Sequence, residues 1–318
     1  MEVVGQAYQA HAKGYSIMPP NGYLRFPDME KERIIAKAAY LGGEHFYEAG
    51  IKWIASFPNN LSKGIERASA TLILNSAETG RPTAIFESSI ISAKRTAASA
   101  ALAAKVMSKD KNPKAIGLVG CGLINFETLR FLLHVFPNVE DLYLLDLSEE
   151  RANQFKNKAL ELKGSLNVIT KNTLQNLLAN CKVIAYGTTA VKPFTDSTEG
   201  HLPDAVILHT SLRDLTENVI VGADNVVDDI EQVCSNKTSL HLSEIKMGNR
   251  DFIRTTIGDI LNGDAEPMDS NKNLRIFSPF GLGILDLAVG YLVKKLATEK
   301  GAGMTIEGFL PKPWTERG

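Results

Sequence analysis

Four basic residues lie in sequence surroundings that are otherwise apolar or made of small side chains. They are Arg25 in Tyr-Leu-Arg-Phe, Lys52 in Gly-Ile-Lys-Trp-Ile, Arg67 in Glu-Arg-Ala-Ser and Arg95 in Lys-Arg-Thr-Ala-Ala. Because burying a cation without a partner costs several kcal/mol, each of them should meet an anion. Several such cations in one place would bind carboxylates, which arginine holds through two parallel hydrogen bonds. They therefore predict a site for a small anionic substrate, with ion pairing inside the chain, for instance of Arg67 with Glu66 or Glu87, as the alternative.

A glycine-rich turn, Gly120-Cys121-Gly122-Leu123-Ile124-Asn125, lies where a nucleotide-binding fingerprint is expected, after a buried strand and at the start of a helix. In such a turn Gly120 makes the tight bend, and Gly122 lets the backbone approach a pyrophosphate. The N-terminus of the helix adds free N–H groups and the positive end of a dipole, so Leu123 and Ile124 complete this part of the predicted cofactor site. A glycine turn that binds no nucleotide is the alternative.

Asp146 closes the second predicted strand of this unit, where an acid accepts hydrogen bonds from both hydroxyls of a ribose. No arginine follows it directly, and its carboxylate would repel the 2′-phosphate of NADP. The motif therefore predicts NAD as the cofactor. Asn125 departs from the fingerprint, because glycine or alanine normally stands where helix and strand pack closely. We expect Asn125 to point away from the strand or to push the helix outward.

Strands and helices alternate after a charged linker at residues 109–113. The apolar run at residues 115–119 is typical of a central parallel strand. Further strands are predicted at residues 142–146, 182–186, 205–209, 225–228 and 274–277, with a helix at 149–162. This order predicts a doubly wound α/β domain, a Rossmann domain of residues 109–281.

The remaining residues read as an α+β unit. Short strands are predicted at residues 23–26, 50–54, 70–74 and 83–86, the remains of a helix at 1–13, and a long buried helix at 88–107. A long apolar helix at about residues 281–298 should pack back on this unit. We therefore expect a discontinuous substrate-binding and dimerisation domain of residues 1–108 and 282–318.

The composition excludes several classes of function. With 35 basic and 36 acidic residues, the chain has no electrostatic footprint for nucleic acid or an anionic membrane. Its three cysteines are widely spaced, which argues against a disulfide framework and a structural zinc site and suits a reducing compartment. No run reaches the ~18 apolar residues of a spanning helix. The N-terminus shows no signal peptide, so we expect a cytoplasmic protein without a metal.

At these residues the sequence resembles the ornithine cyclodeaminase/mu-crystallin family over essentially the whole chain. The stretch from Gly42 to Ser69 is most similar to one branch, the N-(2-amino-2-carboxyethyl)-L-glutamate dehydrogenases of 2,3-diaminopropionate biosynthesis, which serve siderophore and peptide-antibiotic pathways. The resemblance implies that Lys52, Arg95 and Arg25 bind substrate carboxylates, with Arg33 as the fallback for Arg25. Arg67 stands where the cyclodeaminases carry a small hydroxyl residue, and an extra guanidinium suits a substrate with more carboxylates than ornithine.

The resemblance also implies the reacting groups. Asp214 matches the family's catalytic aspartate, and Thr188, Ser211, Phe280 and Gly281 match residues around the nicotinamide and ribose. The implied reaction is the NAD-dependent oxidative cleavage of N-(2-amino-2-carboxyethyl)-L-glutamate to 2,3-diaminopropionate and 2-oxoglutarate. The implied partners are a second copy of the chain, in a homodimer, and a pyridoxal-phosphate-dependent synthase that supplies the substrate.

Two alternatives stay open. One is an ornithine cyclodeaminase, ketimine reductase or amino-acid dehydrogenase that uses the same site on a simpler substrate. The other, from a different class, is a mu-crystallin-like protein that binds a dinucleotide and a small ligand without turnover.

Three further residues or pairs carry weaker signals. His45 lies in a polar loop, where it either belongs to the carboxylate site or is a structural histidine. Asp228 and Asp229 end a predicted strand and should cap the turn that follows. Cys121 lies inside the fingerprint, but nothing near it suggests a lowered pKa, so we assign it no chemical role.

Overall fold

The computed structural model describes residues 1–317, and its N-terminal part is an antiparallel sheet with two helices. Its elements are α1 (Glu2–Ala12), β1 (Ser16–Ile17), β2 (Gly22–Phe26), β3 (Met29–Leu41), β4 (Glu48–Ser56), β5 (Ala68–Ser76), β6 (Pro82–Glu87) and α2 (Ser89–Met107). The strand order is β1-β3-β4-β5-β6, with β2 also paired to β3. The predicted strands and helices of this part are confirmed, whereas β3, the longest strand, was not predicted.

The two faces of this sheet have different surroundings. In the unbroken register of β3 and β4, Lys37 lies opposite Lys52 and Arg33 lies opposite Ser56. Directly opposed residues share a face, and positions two or four apart on one strand share it too. Because Lys52 contacts the long helix near the C-terminus, we call the face that carries these residues the inner face. Trp53 lies on the other side, the outer face, and is 45% exposed.

The second part is a sheet of eight parallel strands with helices on both sides. Its elements are β7 (Ala115–Val119), α3 (Leu123–Val135), β8 (Asp141–Leu145), α4 (Glu149–Leu162), β9 (Asn167–Ile169), α5 (Leu174–Asn180), β10 (Val183–Tyr186), β11 (Ala205–His209), α6 (Glu217–Gly222), β12 (Asp224–Val227), α7 (Ile230–Val233), α8 (Ser239–Met247), β13 (Ile253–Thr256), α9 (Ile257–Asn262) and β14 (Leu274–Ser278). The strand order β13-β12-β14-β11-β10-β7-β8-β9 is that of a doubly wound sheet. The predicted α/β fold class is confirmed.

The last helix, α10 (Gly283–Glu299), returns to the antiparallel sheet. It packs on β3, β4, β5, α1 and α2. One hydrophobic core joins the two parts, because Leu72 and Leu285 belong to the same buried cluster as Leu118 and Leu144. The residue boundaries that we gave for the two domains stay a prediction. Within residues 1–317, no helix is long and apolar enough to cross a membrane.

Candidate active site

The glycine turn has the shape that a dinucleotide needs. Gly120 has a φ of +92°, and a Cβ there would lie 2.6 Å from the Gly187 carbonyl oxygen, so only glycine fits. A Cβ on Gly122 would meet nothing within 4 Å, which leaves space beside the start of α3. Asp146 lies at the same turn, since its Oδ2 accepts a hydrogen bond of 2.7 Å from the Cys121 N–H. These residues fit a pyrophosphate at the N-terminus of α3 and a ribose beside Asp146.

The Asn125 side chain points toward the strands, so our expectation that it points away is wrong, while the alternative of a helix pushed outward stays a prediction. Asn125 is fully buried and its amide nitrogen donates to the carbonyls of Val119, at 2.9 Å, and Gly120, at 2.7 Å. The space comes from Gly187, where a Cβ would lie 2.7 Å from Asn125 Oδ1. Asn125 therefore ties the glycine turn to the end of β7 instead of disturbing it.

Two of the four predicted cations meet on the inner face. Lys52 Nζ donates to Asp286 Oδ2 at 2.6 Å, and Arg95 Nε donates to Asp286 Oδ1 at 3.3 Å. Burial would raise the pKa of Asp286, but the positive charges of Arg95 and Lys52 hold it below its ordinary value. The alternative of ion pairing inside the chain therefore applies to these two cations, through an acid that we did not single out.

Lys37 is a third cation at this point, and the sequence analysis missed it. Its Nζ donates to the Gly281 carbonyl at 2.8 Å and lies 5.0 Å from the centre of the Phe280 ring. Burial and the nearby Arg95 lower the pKa of Lys37 to about 8. Its surroundings, Ile-Ala-Lys-Ala-Ala, satisfy the criterion that selected Lys52, so the signal was present. Lys52 and Arg95 thus share one fully buried acid, Asp286, while Lys37 lies near Asp286 and Asp228 without an ion pair to either, so the three cations outnumber the two acids.

Phe280 and Gly281, predicted to lie beside the cofactor, join the two parts of the site. Their backbone N–H groups donate to Asp228, each at 2.8 Å. Burial raises the pKa of Asp228 to about 6. The capping prediction is therefore wrong for Asp228, whereas Asp229 caps α7 by accepting from the Gln232 N–H at 2.7 Å.

The other two predicted cations, Arg25 and Arg67, lie farther along the inner face. Arg25 is exposed, stands opposite Arg33 in the β2–β3 register, and has its guanidinium 5.5 Å from the Tyr23 ring centre. Arg67 is half-buried, and its Nη1 donates to Ser56 Oγ at 2.8 Å. Burial and the positive charge of Arg33 lower the pKa of Arg67. The structure therefore divides the cations of the inner face into two groups. Lys52 and Arg95 lie at Asp286 and are called the inner cations together with Lys37, whereas Arg25, Arg33 and Arg67 lie farther along the same face and are called the outer arginines.

Asp214 is fully buried behind two hydroxyl groups. Its carboxylate accepts hydrogen bonds from the Thr188 and Ser211 hydroxyls and from His209 Nε2, the last at 3.2 Å. Burial would raise the pKa of Asp214, but these hydrogen bonds hold it below its ordinary value, so the group is ionised at neutral pH. Thr188 and Ser211 are partly exposed, so their hydroxyls lie between the buried carboxylate and the surface. The sequence analysis missed His209, which packs fully buried beside it.

The loop that carries Asp214 contains a strained residue. Leu212 has a φ of +66°, a conformation that is rare for a bulky side chain and is found mostly at functional sites. The strain is held by burial of Leu212 and by a hydrogen bond of 2.8 Å from the Ser239 N–H to its carbonyl. The loop therefore presents Ser211 and Arg213 in fixed positions.

The side chains of the other two weaker candidates, His45 and Cys121, make no contact described for this site. His45 is exposed and packs edge-on against Phe46. Burial raises the pKa of Cys121 to about 12, in line with the absence of a chemical role. Within residues 1–317, no group of histidine, cysteine and acidic side chains could hold a metal ion.

Known proteins share this architecture and part of the sequence. The sequence profile of the ornithine cyclodeaminase/mu-crystallin family matches residues 1–301. N-((2S)-2-amino-2-carboxyethyl)-L-glutamate dehydrogenase of Staphylococcus aureus is 30% identical over an alignment that covers 96% of this chain and 92% of that protein. Alanine dehydrogenase of Archaeoglobus fulgidus is 31% identical, with 97% and 93% covered. The structure of an archaeal alanine dehydrogenase dimer with bound NAD has a TM-score of 0.84 at 29% identity, again with 97% and 93% covered.

Proposed function

The chain belongs to the ornithine cyclodeaminase/mu-crystallin family, and from this premise we propose that it cleaves N-(2-amino-2-carboxyethyl)-L-glutamate oxidatively, with NAD, to 2,3-diaminopropionate and 2-oxoglutarate. The observation that supports this substrate is the excess of basic side chains on the inner face, where Lys52 and Arg95 share Asp286, and where neither Lys37 nor the outer arginines form an ion pair within 4.0 Å in residues 1–317. A relative at 30% identity carries the name of this activity.

The inner cations would bind the carboxylate next to the reacting carbon. Lys37 has no ion pair within 4.0 Å in the described chain, and Arg95 uses only its Nε on Asp286, which leaves its terminal nitrogens. These lie against Gly281, where a Cβ would be 2.6 Å from Arg95 Nη1. The carboxylate would therefore lie beside the loop that also borders the cofactor site, which orients the α-carbon toward the nicotinamide.

NAD fits the glycine turn, with Asp146 accepting from the ribose hydroxyls. When bound, NAD would accept a hydride from the α-carbon of the glutamyl moiety and leave an imine on the substrate. A water molecule would then add to the imine carbon, and the carbon–nitrogen bond would break to give a ketone and an amine. Asp214 would serve as the base and acid of these steps. Because it is buried, its proton would pass through the Ser211 or Thr188 hydroxyl.

The setting of the enzyme follows from the same proposal. We expect a homodimer formed through the outer face, where Leu24, Trp53 and Ile85 are between 45% and 50% exposed. We expect a pyridoxal-phosphate-dependent synthase to make the substrate and a siderophore or peptide-antibiotic pathway to use the product. We expect the dehydrogenase and the synthase to work in the cytoplasm.

A second candidate function is an amino-acid dehydrogenase that acts on alanine, and the 31% identity to an alanine dehydrogenase favours it. Alanine carries one carboxylate, which the inner cations could bind alone. It would leave Arg67 and the other outer arginines without a ligand, so the arginines favour the first candidate.

The test is turnover of both substrates with NAD, followed by absorbance of NADH, in the wild-type protein and in Arg67→Thr. We expect turnover of the tricarboxylate and a Michaelis constant that rises more than about tenfold in the variant, since losing one side of a buried charged pair costs roughly 2–5 kcal/mol. Arg81→Gln, in the exposed turn between β5 and β6, is the matched control for loss of one charge. A wild-type protein that oxidises alanine and ignores the tricarboxylate would refute the proposal, as would one that binds NAD and oxidises no amine.

A further inference from the structure

We propose that Arg33 and Arg213, together with Arg67, form a second carboxylate subsite that joins the two parts of the molecule and binds the distal carboxylate of the glutamyl moiety. This inference rests on the proposed function and deepens it. It makes Arg213, which belongs to the loop of Asp214, a specificity-determining residue.

The register of the antiparallel sheet places the subsite. Arg33 lies opposite Ser56 in the register of β3 and β4, and Arg67 donates to Ser56 Oγ at 2.8 Å, so the two arginines flank one serine. The positive charge of Arg33 acts on Arg67 and lowers its pKa. Arg33 and Lys37 lie four residues apart on the same strand and share the inner face. At about 3.4 Å per residue, the two cationic rows are roughly 13–14 Å apart between Cα atoms.

The row between them is apolar. It contains Ile35 and Ile54, which face each other across β3 and β4, and Tyr23 pairs with Ile35 from β2. A ligand with carboxylates at both ends and methylene groups between them would match this order of cation, apolar strip and cation.

Arg213 reaches the same place from the parallel sheet. Burial and the positive charge of Arg33 lower the pKa of Arg213, and the phenol oxygen of Tyr23 and the carboxylate of Asp214 oppose this effect. Its Nη2 donates to the Asn236 carbonyl at 2.8 Å, which fixes the side chain. The strained backbone of Leu212 precedes it and holds the loop in this position.

None of the three arginines has a carboxylate oxygen within 4.0 Å in residues 1–317. Their hydrogen bonds go to Ser56 Oγ and to the carbonyls of Lys31 and Asn236. Glu66 offsets the repulsion at Arg67 from a greater distance. Three guanidiniums that repel each other at partly buried positions are stabilised by an anion between them, and a carboxylate accepts paired hydrogen bonds from such groups.

The experiment compares 2-oxoglutarate with 2-oxopentanoate, which has a methyl group in place of the distal carboxylate. Each is titrated by calorimetry into the full-length protein in the presence of NADH. We expect the wild type to bind 2-oxoglutarate at least about tenfold more tightly. Arg33→Gln and Arg213→Gln should each remove most of this preference and change the affinity for 2-oxopentanoate less than about twofold. Arg213→Lys keeps the charge and should retain part of the preference, and Arg81→Gln should change neither affinity.

A wild type without preference, or variants that weaken both ligands equally, would overturn the subsite. A misfolded variant would have a lower melting temperature and a weaker affinity for 2-oxopentanoate, so these two measurements distinguish misfolding from a loss of the preference for 2-oxoglutarate. The titration measures binding only, so it also distinguishes the two proposals. If the wild type turns over the tricarboxylate while the variants keep the preference for 2-oxoglutarate, the function holds and the subsite is wrong. If the tricarboxylate is not turned over but the preference depends on Arg33 and Arg213, the subsite holds and the function is wrong.

Discussion

Replacing Asp214 with asparagine tests the chemistry at the centre of the site. Asparagine has the same shape, but it cannot take up or release a proton at neutral pH. Because the pKa of Asp214 is held below its ordinary value, the wild-type group is an ionised base that passes its proton through Ser211 or Thr188. We expect Asp214→Asn to lower turnover roughly 10²–10⁴-fold, the usual share of a general acid and base.

The contacts of Asp214 also predict the cost to stability. The carboxylate accepts from the Thr188 and Ser211 hydroxyls and from His209, whereas an amide offers one accepting oxygen. The hydroxyls can turn and accept from the new amide N–H groups, but one donor is left poorly paired. A buried unsatisfied group costs about 1–3 kcal/mol, so the free energy of unfolding should fall by that amount.

The assay combines steady-state turnover, calorimetric titration with NADH and urea unfolding. Asp224→Asn is the matched control, because Asp224 is also buried and accepts from Arg254 Nε at 2.6 Å, but it lies on β12 away from the site. This control should lose stability and keep turnover, while Asp214→Asn should lose turnover and keep its affinity for NADH. Wild-type turnover in Asp214→Asn would refute the reasoning and make the residue structural.

Three other substitutions test the cofactor site, the carboxylate site and the proposed dimer interface. Asp146→Ala should reduce the preference for NADH over NADPH by about 1–3 kcal/mol, measured by calorimetry, because a charge-assisted hydrogen bond is lost, and a wild type that prefers NADPH would contradict the role of Asp146. The pKa of Lys37 is lowered to about 8. The pKa of Lys52 in the same cluster is lowered to about 7. Since only protonated amines attract a carboxylate, 2-oxoglutarate should bind less tightly as the pH rises from about 7 to above 8, and Lys37→Met should remove the part of this change near pH 8. Trp53→Glu on the outer face should yield a monomer of unchanged fold in light scattering, whereas an intact dimer would place the interface elsewhere.

The sequence predicted most elements because their hydrophobic patterns are local. The longest strand that was not predicted, β3, begins Met-Glu-Lys-Glu-Arg and continues through alanines and a lysine, which are residues with high helix propensity. Its strand conformation comes from pairing with β2 and β4 on either side, and such pairing has no local signature. Because β3 was not predicted as a strand, Lys37 was not placed on the same face as Lys52.

The sequence could identify residues of the candidate site, but it could not show which of these residues contact one another. Lys52 and Arg95 were found because a cation among apolar residues is visible in the sequence, and Asp286 in Ile-Leu-Asp-Leu-Ala carries the same signal with the opposite charge. The inward orientation of Asn125 depends on the missing Cβ of Gly187, which lies on another strand connection. Contacts of this kind are set by the packing of distant segments.

The ion pair between Lys52 and Asp286 has a consequence for synthesis on the ribosome. The two residues are 234 positions apart in the chain. At a translation rate of about 5–20 residues per second, the first sheet waits roughly 10–50 seconds for the acid that neutralises its interior lysine. During that time β4 carries Lys52 and α2 carries Arg95 without this counter-ion, and the sheet exposes the apolar surface that α10 later covers. The nascent N-terminal segment is therefore a candidate for chaperone binding until the final helix has left the exit tunnel.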